Sequence, residues 1–195
     1  MSDDLEQRFD MLLHRLRTSY DGIGHSGGRP YIYFVYPPEQ ERAVRRMAEE
    51  QLRDDRTLCF HHVDFLPLAI NSLAGQEERR QQFLNDPLKH DSATEAIIRL
   101  WVRALSHNIK TRLENAQQEG RPVIVLKGLA ALHPLGHPTA LMEFLAEQEP
   151  RDPLTHLIIP IVLLIPGVRP PQTSRRYLFL GQEQLRFDFY RGEEM

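Results

Sequence analysis

Residues 121–145 read RPVIVLKGLAALHPLGHPTALMEFL, and the first third of that stretch decides the fold. Residues 123–126 (VIVL) form an apolar run entered through Gly120 and Pro122 and left through Gly128, followed by a loop and a new helix. A run that is apolar on both of its alternating faces predicts a strand buried on both sides, as strands are in a parallel sheet covered by helices. The loop at the carboxyl end of such a strand is where an open α/β sheet presents a site.

The flanks repeat the pattern in both directions. Upstream, Ala93, Ala96, Ile97, Leu100, Trp101, Ala104, Leu105, Ile109, Leu113 and Ala116 keep a helical period. Ser92 and Glu95 form a capping-box pattern and Gly120 a stop, so the spacing predicts a long helix over 92–119 with Trp101 as a core anchor. Residues 57–63 (TLCFHHV) and 31–36 (YIYFVY) are β-branched and aromatic, hence strands. Pro37 and Pro38 stop the second of these, and Pro38 suits the first position of the helix that follows. Leu5, Phe9, Leu12, Leu13 and Leu16 form one stripe of an amphipathic opening helix. Residues 75–89 are charged and predict a short surface helix and a turn. Downstream, residues 157–165 predict a central strand broken by Pro166 and Gly167. Residues 177–180 and 185–190 predict a hairpin turned at Gly181.

This alternation predicts an α/β protein: a single three-layer domain over 1–195 with a mainly parallel sheet and an antiparallel C-terminal edge. A helix and glycine-rich connector over 1–30 precede an α/β core over 31–195. The layout resembles a degenerate P-loop-like or Rossmann-like core. A length of 195 residues with 41% hydrophobic content suits one core. The net charge of −3 gives no global cationic field for a nucleic-acid backbone, so direct DNA binding is not expected. The acidic start MSDDLEQRF has no apolar segment of a secretory signal, and the one cysteine, Cys59, excludes an internal disulfide. A cytoplasmic location without a membrane span is therefore expected.

Several constellations invite chemistry and are weighed by geometry. The GxGxxGG pattern of residues 22–28 follows a helix and precedes a strand, the reverse of a phosphate-cradling loop. The unit from Tyr36 through Pro38 into the next helix has the order of a P-loop but lacks its glycines, lysine and hydroxyl. Arg42, Arg45, Arg46, Arg53 and Arg56 alternate with acidic residues, which predicts an ion-paired, solvated face rather than a phosphate or DNA site. Cys59, His61, His62 and Asp64 carry ligand chemistry, yet adjacent strand residues point to opposite faces, so local hydrogen bonding is expected and no metal. Asp64 is placed to cap the next helix, with Pro67 in its first turn. Pro134 and Pro138 disrupt the helical geometry that would let His133 and His137 share an ion. Lys127, at the strand end, could meet a phosphate or a carboxylate; a solvated ammonium is the expectation.

Three blocks together carry a family likeness: YIYFVYPPEQE, VIVLKGLAALHPLGHPTALMEFL and IVLLIPGVRPPQTSRRYLFLGQEQLRFDFYR. In order and spacing they resemble the BrxB family of BREX bacteriophage-exclusion systems. Gly128, His133, Pro134, Leu135, Leu141 and Leu145 stand at the places of its strand–glycine–proline–leucine pattern. Pro166, Gly167, Leu178, Phe179 and Gly181 stand at those of its late block. Ala130 replaces a second glycine, and His137 and Thr139 replace an arginine and a histidine, so no catalytic role carries over. The resemblance implies a non-catalytic adaptor without cofactor. It would bind a PglZ-like alkaline-phosphatase-superfamily protein beside a methyltransferase and a large ATPase. The implied docking loops hold Tyr36, Pro37, Pro38, Lys127, Gly128, His133, Pro134, Gly136, His137, Pro166 and Gly167. The alternative from the residues alone is a nucleotide- or metal-binding enzyme using Lys127, His133 and His137 at the sheet's carboxyl edge.

Overall fold

A strand buried on both faces must have a covering layer on each, and the runs over residues 31–36, 123–127 and 161–167 are buried throughout. The computed structural model describes residues 2–23, 30–75, 77–85, 90–115, 119–146, 149–171, 173, 175–189 and 191–195. In chain order its elements are α1 (Ser2–Ser19), β1 (Tyr31–Tyr36), α2 (Glu41–Gln51), β2 (Leu58–Asp64), α3 (Phe65–Ser72), α4 (Glu77–Leu84), α5 (His90–Glu114), β3 (Arg121–Lys127), α6 (Pro138–Leu145), β4 (Ile161–Val168), β5 (Arg176–Phe179), β6 (Arg186–Asp188) and β7 (Gly192–Glu194). The main sheet runs β2-β3-β4-β1-β7, with every neighbouring pair parallel.

Period-two alternation sorts the apolar side chains into two cores. Tyr31, Tyr33, Ile124, Leu126, Ile161, Leu163 and Ile165 face Phe65 of α3, Trp101 and Leu105 of α5, and Leu141 and Leu145 of α6. Ile32, Phe34, Val123, Val125, Val162 and Leu164 face Leu5, Phe9, Leu12 and Leu16 of α1 and Val44, Met47 and Ala48 of α2. The α/β class with helices on both faces is as the sequence predicts, and α1 is one of the outer layers. Trp101 is buried and meets Phe65 edge-on at 5.6 Å.

Boundaries depart from expectation where tertiary pairing overrides local signals. α5 begins at His90, so Ser92 lies within the helix and the Ser92–Glu95 box does not start it. The helix ends at Glu114, and Ala116 lies outside the described residues, as do most of the glycine-rich connector and Asp86–Pro87. β4 begins at Ile161, not at Leu157, which is 52% exposed, and it continues through Pro166 and Gly167 to Val168.

Ladder geometry explains the proline. Ile161 N–H donates to Pro30 O on the β1 side, so even-numbered residues of β4 turn their N–H toward β3. β3 stops at Lys127, one register position past the Leu126–Leu163 pair. Pro166 therefore lacks only an N–H that has no ladder partner. Beyond that point β5 takes the side β3 has vacated: Gly167 pairs with Phe179, Val168 with Leu178, and Leu180 N–H donates to Pro166 O. The expected antiparallel pair, β5–β6, thus stands on the end of the central strand. The strand beside β1 at the sheet edge is β7, parallel and charged, held by Arg15–Glu193, Arg169–Glu194 and two bonds from Arg8 to Val35 O and Met195 O.

β5 crosses so close to Gly167 that an added Cβ would lie 2.7 Å from Leu178 O. Gly167→Ala is expected to destabilise the protein by about 1–3 kcal/mol in urea denaturation. Gly136→Ala, whose Cβ would meet nothing nearer than an Ile98 methyl at 3.5 Å, should stay close to wild type.

Candidate functional site at the carboxyl edge of the sheet

In an open parallel sheet the ligand crevice opens where neighbouring strands send their connections in opposite directions. Here that point lies between β1 and β4, where Tyr36 is in register with Pro166. Both are buried. The connection out of β1 is short: Pro37 leads into a single 3-10 turn, Pro38–Gln40, which runs directly into α2. Glu39 and Glu41 stand in these first turns, so the helix start presents carboxylates where a phosphate-binding loop presents bare N–H groups.

From that start a chain of charges runs along one face of α2, through Glu41, Arg45 and Glu49 at four-residue intervals. The Tyr36 hydroxyl donates to Glu41 Oε2, and burial together with that carboxylate raises its pKa. Arg45 Nη1 lies 3.6 Å from Glu41 Oε1, while its Nη2 donates to Asp64 Oδ2 at the end of β2. Asp64 also accepts from Leu66 N–H at 3.3 Å, which is the predicted cap of α3. Asp64 is in register with Lys127, and Lys127 Nζ donates to Glu49 Oε1. Lys127 is thus not the solvated ammonium expected from its place at a strand end. Its side chain is 11% exposed and its charge is spent on a carboxylate that this contact holds below its usual pKa.

Gly128 makes the arrangement possible. Its φ of +73° starts the 3-10 turn Leu129–Leu132, and an added Cβ would lie 2.5 Å from Asp64 Oδ1 and 3.3 Å from Arg45 Nη1. The glycine after the strand was legible; the partners it makes room for were not, because each lies on another element. Glu41, Arg45 and Glu49 read only as an ion-paired helix face, which they are, with its pairs turned toward the sheet.

The remaining candidates scatter. His133 and Pro134, joined by a cis peptide, are exposed. Gly136, Pro37 and Pro38 are half-buried, and Gly167 lies under β5. His137 caps α6: its Nδ1 accepts from Ala140 N–H at 3.2 Å, and its ring stacks on Phe187 with centroids 3.7 Å apart. Next to it Thr139 Oγ1 donates to Asp188 O at 2.7 Å and accepts from the Tyr177 hydroxyl at 2.8 Å, tying the hairpin to α6. Lys127, His133 and His137 therefore serve different neighbourhoods. On β2, His61 Nε2 lies 3.6 Å from Cys59 Sγ, and His62 Nε2 bonds Leu52 O at 2.8 Å on the other face, the local bonding expected of them. Burial, with Asp54 adding to it, pushes the Cys59 thiol up to about 11, which makes it a poor nucleophile at neutral pH. No group of three or more His, Cys, Asp or Glu placed to hold a metal occurs among the described residues.

Comparison of the chain with known protein families, with curated proteins and with solved structures finds no match.

Two outcomes follow from these contacts. Glu49→Gln leaves a buried ammonium unanswered and is expected to cost about 1–3 kcal/mol. Lys127→Met removes the buried charge and returns Glu49, 58% exposed, to water, so it should cost less; equal losses in denaturant titrations would contradict the asymmetry. Burial also holds His61, His62 and His137 below their usual 6.5. The folded chain then binds fewer protons than the unfolded one, so their contribution is complete above pH 6.5 and declines as the pH falls toward the lowered values. Melting temperatures taken from pH 7.5 to 5 should drop, and His137→Asn, which keeps a cap acceptor, should flatten the slope.

Proposed function

We propose that this chain is a non-catalytic adaptor of a BREX-type anti-phage assembly in the bacterial cytoplasm, binding a PglZ-type subunit of the alkaline-phosphatase superfamily. It would act beside the methyltransferase and the large ATPase of such systems. The observation that supports this reading best is the closure of the carboxyl edge by the chain's own groups: Glu41 and Asp64 answer Arg45, and Glu49 answers Lys127. A nucleotide would have to displace carboxylates from both cations and open the buried Tyr36–Pro166 junction. A sheet with that geometry is suited to present a fixed surface to another polypeptide. No helix among the described residues is long and apolar enough to cross a membrane.

Coexpression with a PglZ-type subunit is expected to yield a complex that survives affinity purification and gel filtration. Recovery of the protein alone would overturn the proposal. A thermal-shift series with ATP and Mg²⁺, and with Zn²⁺, should leave the melting temperature unchanged. Saturation at ~100 times a dissociation constant would stabilise the fold by about 2.7 kcal/mol, a shift that would favour the nucleotide- or metal-binding enzyme instead.

A further inference from the structure

The opposite end of the sheet is not closed in this way. Where α5 ends and β3 begins, a cleft of about 520 Å³ opens between the C-terminal half of α5, the end of α6 and residues 149–153. Its floor is the core itself, reached through Ile109, Leu113 and Leu145, each buried. Pro153 lines the cleft, and the next residue in the chain, Leu154, is 88% exposed.

Cations outnumber carboxylates on the walls, three to two: Arg103 and Lys110 of α5 and Arg151 on the other side, against Glu114 and Glu149. Arg103, His107 and Lys110 recur at four- and three-residue steps, so they stand on one face of α5. Arg103 has no ion pair among the described residues. Lys110 reaches Glu114 at 3.8 Å, a contact between exposed side chains that contributes little and exchanges readily, while Arg151 donates to His156 O at 3.0 Å and lies 3.9 Å from Glu149. The Ser106 hydroxyl, buried at the α5 wall, has no hydrogen-bond partner among the described residues and is free to donate to, or accept from, a polar group placed in the cleft.

We infer that this cleft receives a polypeptide segment of the partner subunit, one that carries apolar anchors flanked by Asp or Glu. A carboxylate-bearing segment matches the cations on both walls. From Arg103 to Glu114 the helix wall runs roughly 16 Å, about three turns of a docked helix. An exposed leucine directly after Pro153 suits a polypeptide that continues past the cleft better than a small molecule filling its floor. The inference rests on the adaptor reading and gives that reading its docking surface, on the face opposite the proline-bearing loops.

The test uses the full chain coexpressed with the PglZ-type subunit. Arg103→Glu combined with Lys110→Glu, and separately Leu154→Asp, change exposed side chains, and unchanged melting curves verify their folding. Each is expected to reduce recovered complex at least tenfold, while Pro134→Asp on the exposed carboxyl-edge loop leaves it unchanged. Benzoylphenylalanine at position 107 should crosslink to a partner peptide containing acidic and large apolar residues. Undiminished complex in both cleft variants, or a crosslink to a basic segment, would overturn the cleft assignment while leaving the adaptor reading standing. Absence of any complex with the wild-type chain would remove both.

Discussion

The constraint on which this structure depends is the two-sided burial of β1, β3 and β4. A strand covered on both faces has no place for a charge except at its ends, and each apolar face demands a helical layer of its own. The leucine stripe of α1 and the apolar face of α2 meet one demand; α3, α5 and α6 meet the other. No buried side chain belongs to both cores, which lie on opposite faces of the sheet. Charges are displaced to the strand ends, and there they must find partners on elements distant in sequence.

Lys127 shows what that displacement does to chemistry. A lysine at the carboxyl end of a central strand, followed by a glycine in the left-handed region, has the makings of an anion site. Its ammonium is instead satisfied by Glu49 of α2, and the adjacent Arg45 is shared between Glu41 and Asp64. The counterions that a ligand would supply elsewhere are built into the chain. At the opposite cleft Arg103 has no ion pair among the described residues and Lys110 meets Glu114 only at 3.8 Å between exposed side chains, while Arg151 donates to His156 O. The two ends of one sheet thus differ in whether their electrostatics are already complete.

Much of the fold was legible because its signals are local. The heptad-like stripe of Leu5, Phe9, Leu12 and Leu16, the aromatic run of β1 and the apolar run of β3 each report their burial without reference to a neighbour. The misplaced features depend on pairing. β7 reads Gly192, Glu193, Glu194 and has no apolar or β-branched residue; it is a strand because β1 offers a ladder and arginines hold its carboxylates. The segment before β4 is as apolar as the strand itself, yet the ladder begins only at Ile161. Pro166 and Gly167 looked like a break because the sequence does not reveal that β3 has ended beside them. The candidate site was legible in its glycine and lysine and illegible in its closure. Glu49 lies far upstream on a helix whose charges read as solvated, and an imidazole cap such as His137 falls outside the usual set of capping residues.

The pairing order has a consequence for the protein's synthesis. β2 and β3 can meet as soon as the long helix between them has formed, but β1 finds its partner β4 only when Ile161 has been made, and β7 closes the edge last of all. Because the central ladder joins segments so far apart along the chain, loop closure governs the rate of assembly. The face of β1 that carries Tyr31, Tyr33 and Val35 therefore waits longest for its cover, whereas Phe34 already has Phe9 of α1 beside it. Apolar surface exposed in this way during synthesis is prone to aggregation.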